Sequence, residues 1–125
     1  MKRILTTGAA ALALAVPSPA IAQQVGDWVL GQWRGEAEWY PGVIIARDGS
    51  NVTIRYDDGS TEIRPVNQVR PYDWRAGTRV TCLWTDGRWY GATLTRTYPD
   101  GLTVDVRYDD GETQRTQTGR CRQDA

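Results

Sequence analysis

Three aromatic residues recur in the same order and at nearly the same spacing in the two halves of the chain. They are Trp33, Tyr40 and Tyr56 in the first half, and Trp84, Tyr90 and Tyr108 in the second. Residues two apart in a strand share a face, so the rings lie on the inward side, beside turns. An acidic residue follows two positions after the last tyrosine of each set, Asp58 and Asp110. The pattern predicts three rings around each of two barrel mouths, although Trp and Tyr also fill the ends of small cores.

Catalytic chemistry is not indicated. The sequence has no His, which removes the imidazole base, the Ser–His and Cys–His pairs and the usual zinc site. The paired carboxylates, Asp57 with Asp58 and Asp109 with Asp110, belong to Asp-Asp-Gly turns and lack the spacing of a calcium loop. No Gly-rich phosphate loop precedes a helix. We therefore expect a protein that is not an enzyme and that uses no cofactor and no metal.

The aromatic sets belong to a longer internal repeat. Residues 26–33 align with 77–84, and residues 52–59 align with 104–111, while the offset at the three aromatic positions is 51, 50 and 52 residues. Alternating apolar residues and Asp-Gly turns predict short strands joined by tight hairpins. The repeat therefore predicts an all-β fold of two tandem five-stranded SH3-like barrels. The first would span residues 23–71 and the second residues 76–125, with a short linker over 71–76.

The two cysteines fall in the first and last predicted strands of the second copy. Cys82 and Cys121 are the only cysteines of the chain, and those two strands pair in an SH3-like barrel. The pairing predicts a disulfide that closes the second barrel. The equivalent positions of the first copy are Gly31 and Val69, which cannot form one. A reactive or metal-binding pair is the alternative, but it lacks His partners and C-x-x-C spacing.

The N-terminus predicts export. Lys2 and Arg3 precede an uncharged apolar stretch over residues 4–16, and Ala20-Ile21-Ala22 forms a cleavage signal, which together predict a signal peptide over residues 1–22. The stretch is too short to span a bilayer, although an uncleaved membrane anchor is the alternative. We expect a periplasmic or secreted protein with no membrane span after cleavage. Removing Lys2 and Arg3 from the 15 basic residues leaves 13 against 15 acidic ones, a net charge of −2, which argues against a nucleic-acid partner.

The sequence resembles the Tudor domains and related barrels that read methyl marks, whose pattern is W-Y-P-[GA]-x-I followed by V-x-[VI]-x-Y-x-D-G. The first copy has it at residues 39–44 and 52–59, and the second at 89–94 and 104–111, where Gly91 replaces the proline. The resemblance implies an aromatic cage in which ring faces attract a methylated Lys or Arg. It assigns the cage to the six recurring aromatics. Asp58 and Asp110 stand where a fourth aromatic is often found.

Three functions follow as expectations. The first is a non-catalytic exported module that binds a cationic or extended protein or peptide ligand at the barrel mouths. The second is an SH3-like module that binds cell-wall fragments, and the third is a structural subunit of an envelope complex. The acidic turn with Glu36 and Glu38 predicts that the first copy prefers the cation. The tryptophans outside the cage pattern are expected to pack between the barrels: Trp28, Trp39 and Trp74.

Overall fold

The computed structural model describes residues 23–124, so the predicted signal peptide lies outside the described residues. The first module contains strands β1 (Trp28–Gln32), β2 (Trp39–Asp48), β3 (Asn51–Tyr56), β4 (Thr61–Pro65) and β5 (Val69–Pro71). The second contains β6 (Arg79–Leu83), β7 (Trp89–Thr97), β8 (Thr103–Tyr108), β9 (Thr113–Gln117) and β10 (Cys121–Arg122). Short 3-10 turns lie at Trp33–Gly35, Val66–Gln68 and Thr118–Arg120. In residues 23–124 no helix has the length and apolar character needed to cross a membrane.

The two sheets have the same antiparallel topology. Their strand orders are β4-β3-β2-β1-β5 and β9-β8-β7-β6-β10, so the first and last strands of each module are neighbours. The long second strand of each sheet has a bulge, between Ile44 and Ala46 in β2 and between Leu94 and Arg96 in β7. Bulges bend the strand and increase its twist, which lets so small a sheet curve around its core. The predicted all-β fold of two SH3-like modules is confirmed, while the domain boundaries stay a prediction.

The strand β1 is buried on both faces, because it contributes to two cores. Val29 packs with Ile44 and Ile54 in the core of the first module, whereas Leu30 packs with Val80 and Leu94 in the core of the second. Both Val29 and Leu30 have no exposed surface. Successive residues of a strand point to opposite faces, so the second module must cover the outer side of β1. The two modules therefore share buried surface.

The predicted disulfide is confirmed. Cys82 of β6 and Cys121 of β10 are directly paired in the sheet register, with their Cα atoms 4.1 Å apart. Both residues are fully buried. The bond therefore ties the last strand of the second module to its first strand.

The three tryptophans outside the aromatic sets pack between the modules, as predicted. Trp74 is buried in the second core and Trp39 packs against that core from the first module. Trp28 contacts Tyr72 at a ring-centroid distance of 5.7 Å, and its ring fills the space that a Cβ atom on Gly101 would need. These residues extend the shared surface away from β1 on both sides.

The closing segment, which we define as residues 118–123, lies along the first module. Trp39 and Gln123 exchange two backbone hydrogen bonds of 2.8 and 2.9 Å. The Thr118 hydroxyl donates to Asp57 at 2.6 Å. A Cβ atom on Gly119 would lie only 2.8 Å from the carbonyl carbon of Asp57, so a residue with a side chain does not fit there without displacing the backbone. The closing segment thus holds the β3–β4 turn of the first module.

Reduction of the disulfide is expected to destabilise the second module. The bond joins residues 39 positions apart, and the chain-entropy model assigns about 4 kcal/mol to a loop of that size. Urea unfolding followed by tryptophan fluorescence should therefore give a lower midpoint with reductant than without it. The Cys82→Ala/Cys121→Ala variant is the control and should not respond to reductant. An unchanged midpoint for the parent protein would contradict the prediction.

Asp57 is expected to make stability depend on pH. Burial raises the pKa of its carboxyl above 3.8, although the Thr118 hydrogen bond opposes the shift. A raised folded-state pKa means that this group's favourable contribution is complete below pH 3.8 and is lost as the pH rises through the folded value. Asp57→Asn keeps an acceptor for Thr118 without the charge, so at pH 7 it should be at least as stable as the parent, and this difference should shrink on acidification.

The check is thermal unfolding of both proteins from pH 3.5 to pH 7, with Asp58→Asn as the matched control. Asp58 is the exposed neighbour in the same turn and accepts from Ser60 rather than from the second module. Its variant keeps the buried charge of Asp57 and should therefore lack the gain in stability that Asp57→Asn shows at pH 7. A loss of stability for Asp57→Asn that is largest at pH 7 would show that the sign is wrong.

Candidate functional site

The six recurring aromatics form two clusters of the same geometry. In the first cluster the ring of Tyr56 lies 5.5 Å from Trp33 and 6.3 Å from Tyr40, with interplanar angles of 82° and 81°. In the second, Tyr108 lies 5.2 Å from Trp84 and 6.4 Å from Tyr90, at 82° and 89°. Each cluster is therefore a central tyrosine with two rings set edge-on to it. The structure brings together the rings that parity placed on one face.

The strands explain this arrangement. The central tyrosines end β3 and β8, where the Asp-Asp-Gly turn begins, and both are buried. Their hydroxyl groups are held by the next strand, because Tyr56 donates to Glu62 at 2.8 Å and Tyr108 donates to Gln114 at 2.6 Å. Burial is the main cause of the raised pKa of both phenols. The central rings are therefore fixed walls and not mobile groups.

The first cluster is enclosed by the protein's own groups. The Tyr40 hydroxyl accepts a 3.1 Å hydrogen bond from Arg122 of the closing segment, and the guanidinium of Arg34 lies 5.4 Å from the centre of the Trp33 ring. Arg34 has a positive φ of 56°, and its backbone N–H donates to Glu62. Asp58 accepts from Ser60 in its own turn. Two internal arginines thus contact the rings at which a ligand cation was expected.

The second cluster opens onto a groove of about 680 Å³. Tyr90 is 41% exposed, whereas its counterpart Tyr40 is half-buried. The lining consists of the three rings, one glycine and four carboxylates, and it contains no basic side chain: Trp84, Asp86, Tyr90, Gly91, Tyr108, Asp109, Asp110 and Glu112. The charge and the space of this groove suit a cation, while the preference of the first copy for the cation stays a prediction.

Hydrogen bonds keep two of these carboxylates ionised. Asp86 accepts from the Tyr90 hydroxyl at 2.6 Å, which lowers the pKa of Asp86 and raises that of Tyr90. Arg79 donates to both oxygens of Asp109 at 2.7 and 3.0 Å, which lowers the pKa of Asp109. Asp110 accepts from the backbone of Glu112 at 3.0 Å. The groove is therefore anionic at neutral pH.

Sequence reasoning identified Asp110 in this groove but missed three of its carboxylates: Asp86, Asp109 and Glu112. Asp86 and Asp109 stand in Asp-Gly and Asp-Asp-Gly turns, and hairpin chemistry alone accounts for such residues. Their positions in the sequence could have indicated them, because Asp86 lies between Trp84 and Tyr90 and Asp109 directly follows Tyr108. In residues 23–124 no group of three or more His, Cys, Asp or Glu side chains is placed to hold a metal ion. The arrangement is suited to an organic cation.

Comparison with known proteins gives a family for the first module. Residues 33–74 match the Agenet domain family, a Tudor-like group of typically non-catalytic modules that bind peptides or proteins. The crystal structure of Arabidopsis thaliana AGDP1 AGD34 is similar at 16% identity over 84% of this chain and 86% of that chain, with a TM-score of 0.40. No curated protein gave a significant match. Residues 33–74 of the first module are thus similar to the Agenet domain family.

Proposed function

We propose that the second module binds a cationic side chain of a protein or peptide partner in its acidic aromatic groove, with methylated Lys or Arg as the ligand class. The observation that carries the proposal is the open three-ring cluster of Trp84, Tyr90 and Tyr108 beside four carboxylates. Ring faces attract a cation by about 0.5–2 kcal/mol each. The carboxylates add attraction, and a trimethylated ammonium has no N–H group, so it needs no hydrogen-bond acceptor among the rings.

The charge of the groove separates this function from the cell-wall alternative. Wall fragments that carry carboxylates would approach Asp86, Asp109, Asp110 and Glu112, all of the same sign. Like charges in a partly desolvated groove repel, whereas a cation is favoured. Neutral glycan remains an arm of the test, because its stacking on exposed rings does not depend on charge.

We also propose that the protein acts outside the cytoplasm. The buried Cys82–Cys121 disulfide supports this location, because structural disulfides persist in oxidising compartments. The predicted signal peptide over residues 1–22 supports it independently. A fractionation experiment on cells that produce the whole chain, with N-terminal sequencing of the product, is the direct check. Cleavage after Ala22 is the expected result.

The binding proposal is tested by titrating the purified protein with a trimethyl-lysine peptide, a dimethyl-arginine peptide, their unmodified forms and soluble wall fragments. The six indole N–H signals of the tryptophans serve as the readout. Saturable shifts at Trp84 with the methylated peptides, and none at Trp33, are expected. Shifts confined to Trp33 would place the site in the wrong module. Shifts with wall fragments alone would favour the cell-wall function instead.

Substitution of Tyr90 is expected to weaken binding of the trimethyl-lysine peptide about tenfold, the value of one ring of a cage. Tyr90 is exposed, and its hydroxyl donates to Asp86 of the turn just before it, so Tyr90→Ala should remain folded. Tyr40→Ala is the matched control, since it removes the same ring from the enclosed cluster and should leave affinity unchanged. Isothermal titration calorimetry of both variants measures the difference. A larger loss for Tyr40→Ala than for Tyr90→Ala would refute the assignment.

Binding is also expected to be insensitive to pH until the carboxylates protonate. The trimethyl-lysine charge does not titrate, and the pKa values of Asp86 and Asp109 lie below 3.8. Each carboxylate is therefore ionised above that value and loses its attraction only as the pH falls through its lowered pKa. Affinity should stay constant between pH 8 and about pH 5 and fall only once the pH drops below 3.8. Circular dichroism at each pH separates this loss from unfolding, and a marked loss near pH 6 would contradict it.

A further inference from the structure

The outer face of the second sheet is rich in arginine. The strand register places Arg79, Thr93, Arg107 and Thr113 in one row across β6 to β9. The next row contains Arg96, Asp105 and Arg115. Inward neighbours such as Val104 and Val106 are buried, so these rows point to solvent. We call this surface, with its four arginines Arg79, Arg96, Arg107 and Arg115, the arginine face.

The arginines of this face differ in whether their charge is already paired with a carboxylate. Arg115 donates to Asp105 at 2.9 Å, and Arg96 and Arg115 lie 4.6 and 4.9 Å from the ring centre of Tyr98. Arg79 is paired with Asp109. Arg107 is exposed and takes part in none of the salt bridges found among residues 23–124. The face therefore has a surplus of positive charge, centred on Arg107.

The first module has no equivalent surface. The positions that correspond to Arg79, Arg96 and Arg115 are Trp28, Ala46 and Ile63 by the strand register. Of the four arginines of the arginine face, only Arg107 has an arginine at the corresponding position of the first module, which is Arg55. The arginine face thus belongs to the module that has the open groove.

The groove and the arginine face meet at the ion pair of Arg79 and Asp109. Both side chains of this pair are 61% exposed, and an exposed pair exchanges partners at little cost. Arg107 precedes Asp109 by two residues on the same side of the chain, a separation of about 7 Å. A Cβ atom on Gly91 would lie 2.7 Å from Asp109 and 3.2 Å from Arg79, so the ion pair occupies the space that a side chain at this position would need. Two to four extended peptide residues span about 7–13 Å, which is the scale of the distance from this ion pair to Arg107.

We propose that the partner is a peptide in which the cationic residue bound by the groove is flanked, two to four positions away, by acidic residues. The inference rests on the proposed function and adds the sequence context of the ligand. The ligand cation takes the place of Arg79 beside Asp109, and the ligand carboxylates pair with Arg79 and Arg107. Arg79 and Asp109 therefore each exchange their present partner for a charge of the ligand. Because the ligand carries both signs of charge, only one orientation of the peptide places its cation in the groove and its carboxylates on the arginine face.

The test compares trimethyl-lysine peptides that differ only in their flanks, which contain Glu, Gln or Lys two to four positions from the modified residue. Calorimetric titration should give about five- to tenfold tighter binding for the Glu peptide than for the Gln peptide, and weaker binding for the Lys peptide. High salt should reduce the difference, because exposed charges are screened within about 10 Å at 0.1 M ionic strength. The Arg107→Gln variant should lose most of the preference for Glu.

Arg55→Gln is the matched control, since it removes the same charge from the corresponding strand of the first module and should keep the preference. Equal binding of the three peptides would overturn this inference and leave the proposed function intact. An equal loss in Arg55→Gln and Arg107→Gln would also overturn it, because total charge and not this face would then be responsible. Failure of every methylated peptide to bind would overturn the proposed function together with the inference.

Discussion

The arrangement of the two modules depends on the close packing of the closing segment of the second module against the first module. Gly119 approaches the backbone of Asp57 at a distance that admits no side chain, Thr118 donates to the carboxylate of that residue, and Trp39 pairs with Gln123 through both backbone hydrogen bonds. These contacts lie at one end of the first sheet, where β2 begins and β3 ends. At the other side of β1, Leu30 is inserted into the second core. Because the second module contacts the first sheet in two places, the orientation of the first sheet relative to the second module is fixed. Close-packed interiors resist such displacement in general.

The disulfide has a consequence beyond the module that contains it. Cys121 stands between Gly119 and Arg122 in the closing segment, and its partner Cys82 lies in β6. The bond thus anchors the residues that cover the aromatic cluster of the first module. A disulfide in the first module would have no such effect, because the segment that needs to be held belongs to the second. Gly31, which occupies the corresponding position, instead makes room for the ring of Tyr56.

Much of the fold followed from local patterns. Alternation in β3 and β8, the Asp-Gly turns and the pair of cysteines are all short-range or pairwise signals, and each predicted an element that the structure contains. The ring clusters followed from parity alone. The double burial of β1 was readable in principle, since Val29 and Leu30 are adjacent apolar residues and break the alternation expected of a strand with one wet face.

The contacts that distinguish the two clusters were not predictable from such patterns. The acidic turn of Glu36 and Glu38 suggested the first copy, but it took no account of residues far away in sequence. Tyr40 is contacted by Arg122, 82 positions away, and Asp57 by Thr118, 61 positions away. These contacts exist only once both modules have folded and docked, so no local window contains them. Equivalent carboxylates therefore have different partners, Thr118 for Asp57 and Arg79 for Asp109.

Net charge conceals the same asymmetry. A chain near neutrality suggests a surface without strong fields, yet the second module places four carboxylates in its groove and four arginines on its outer face. The two groups cancel in the sum but not in space, because the sheet separates most of them and water screens interactions beyond about 10 Å. They approach each other only at Arg79 and Asp109. A partner that meets both groups must itself carry both signs of charge, which is a property of the arrangement and not of the composition.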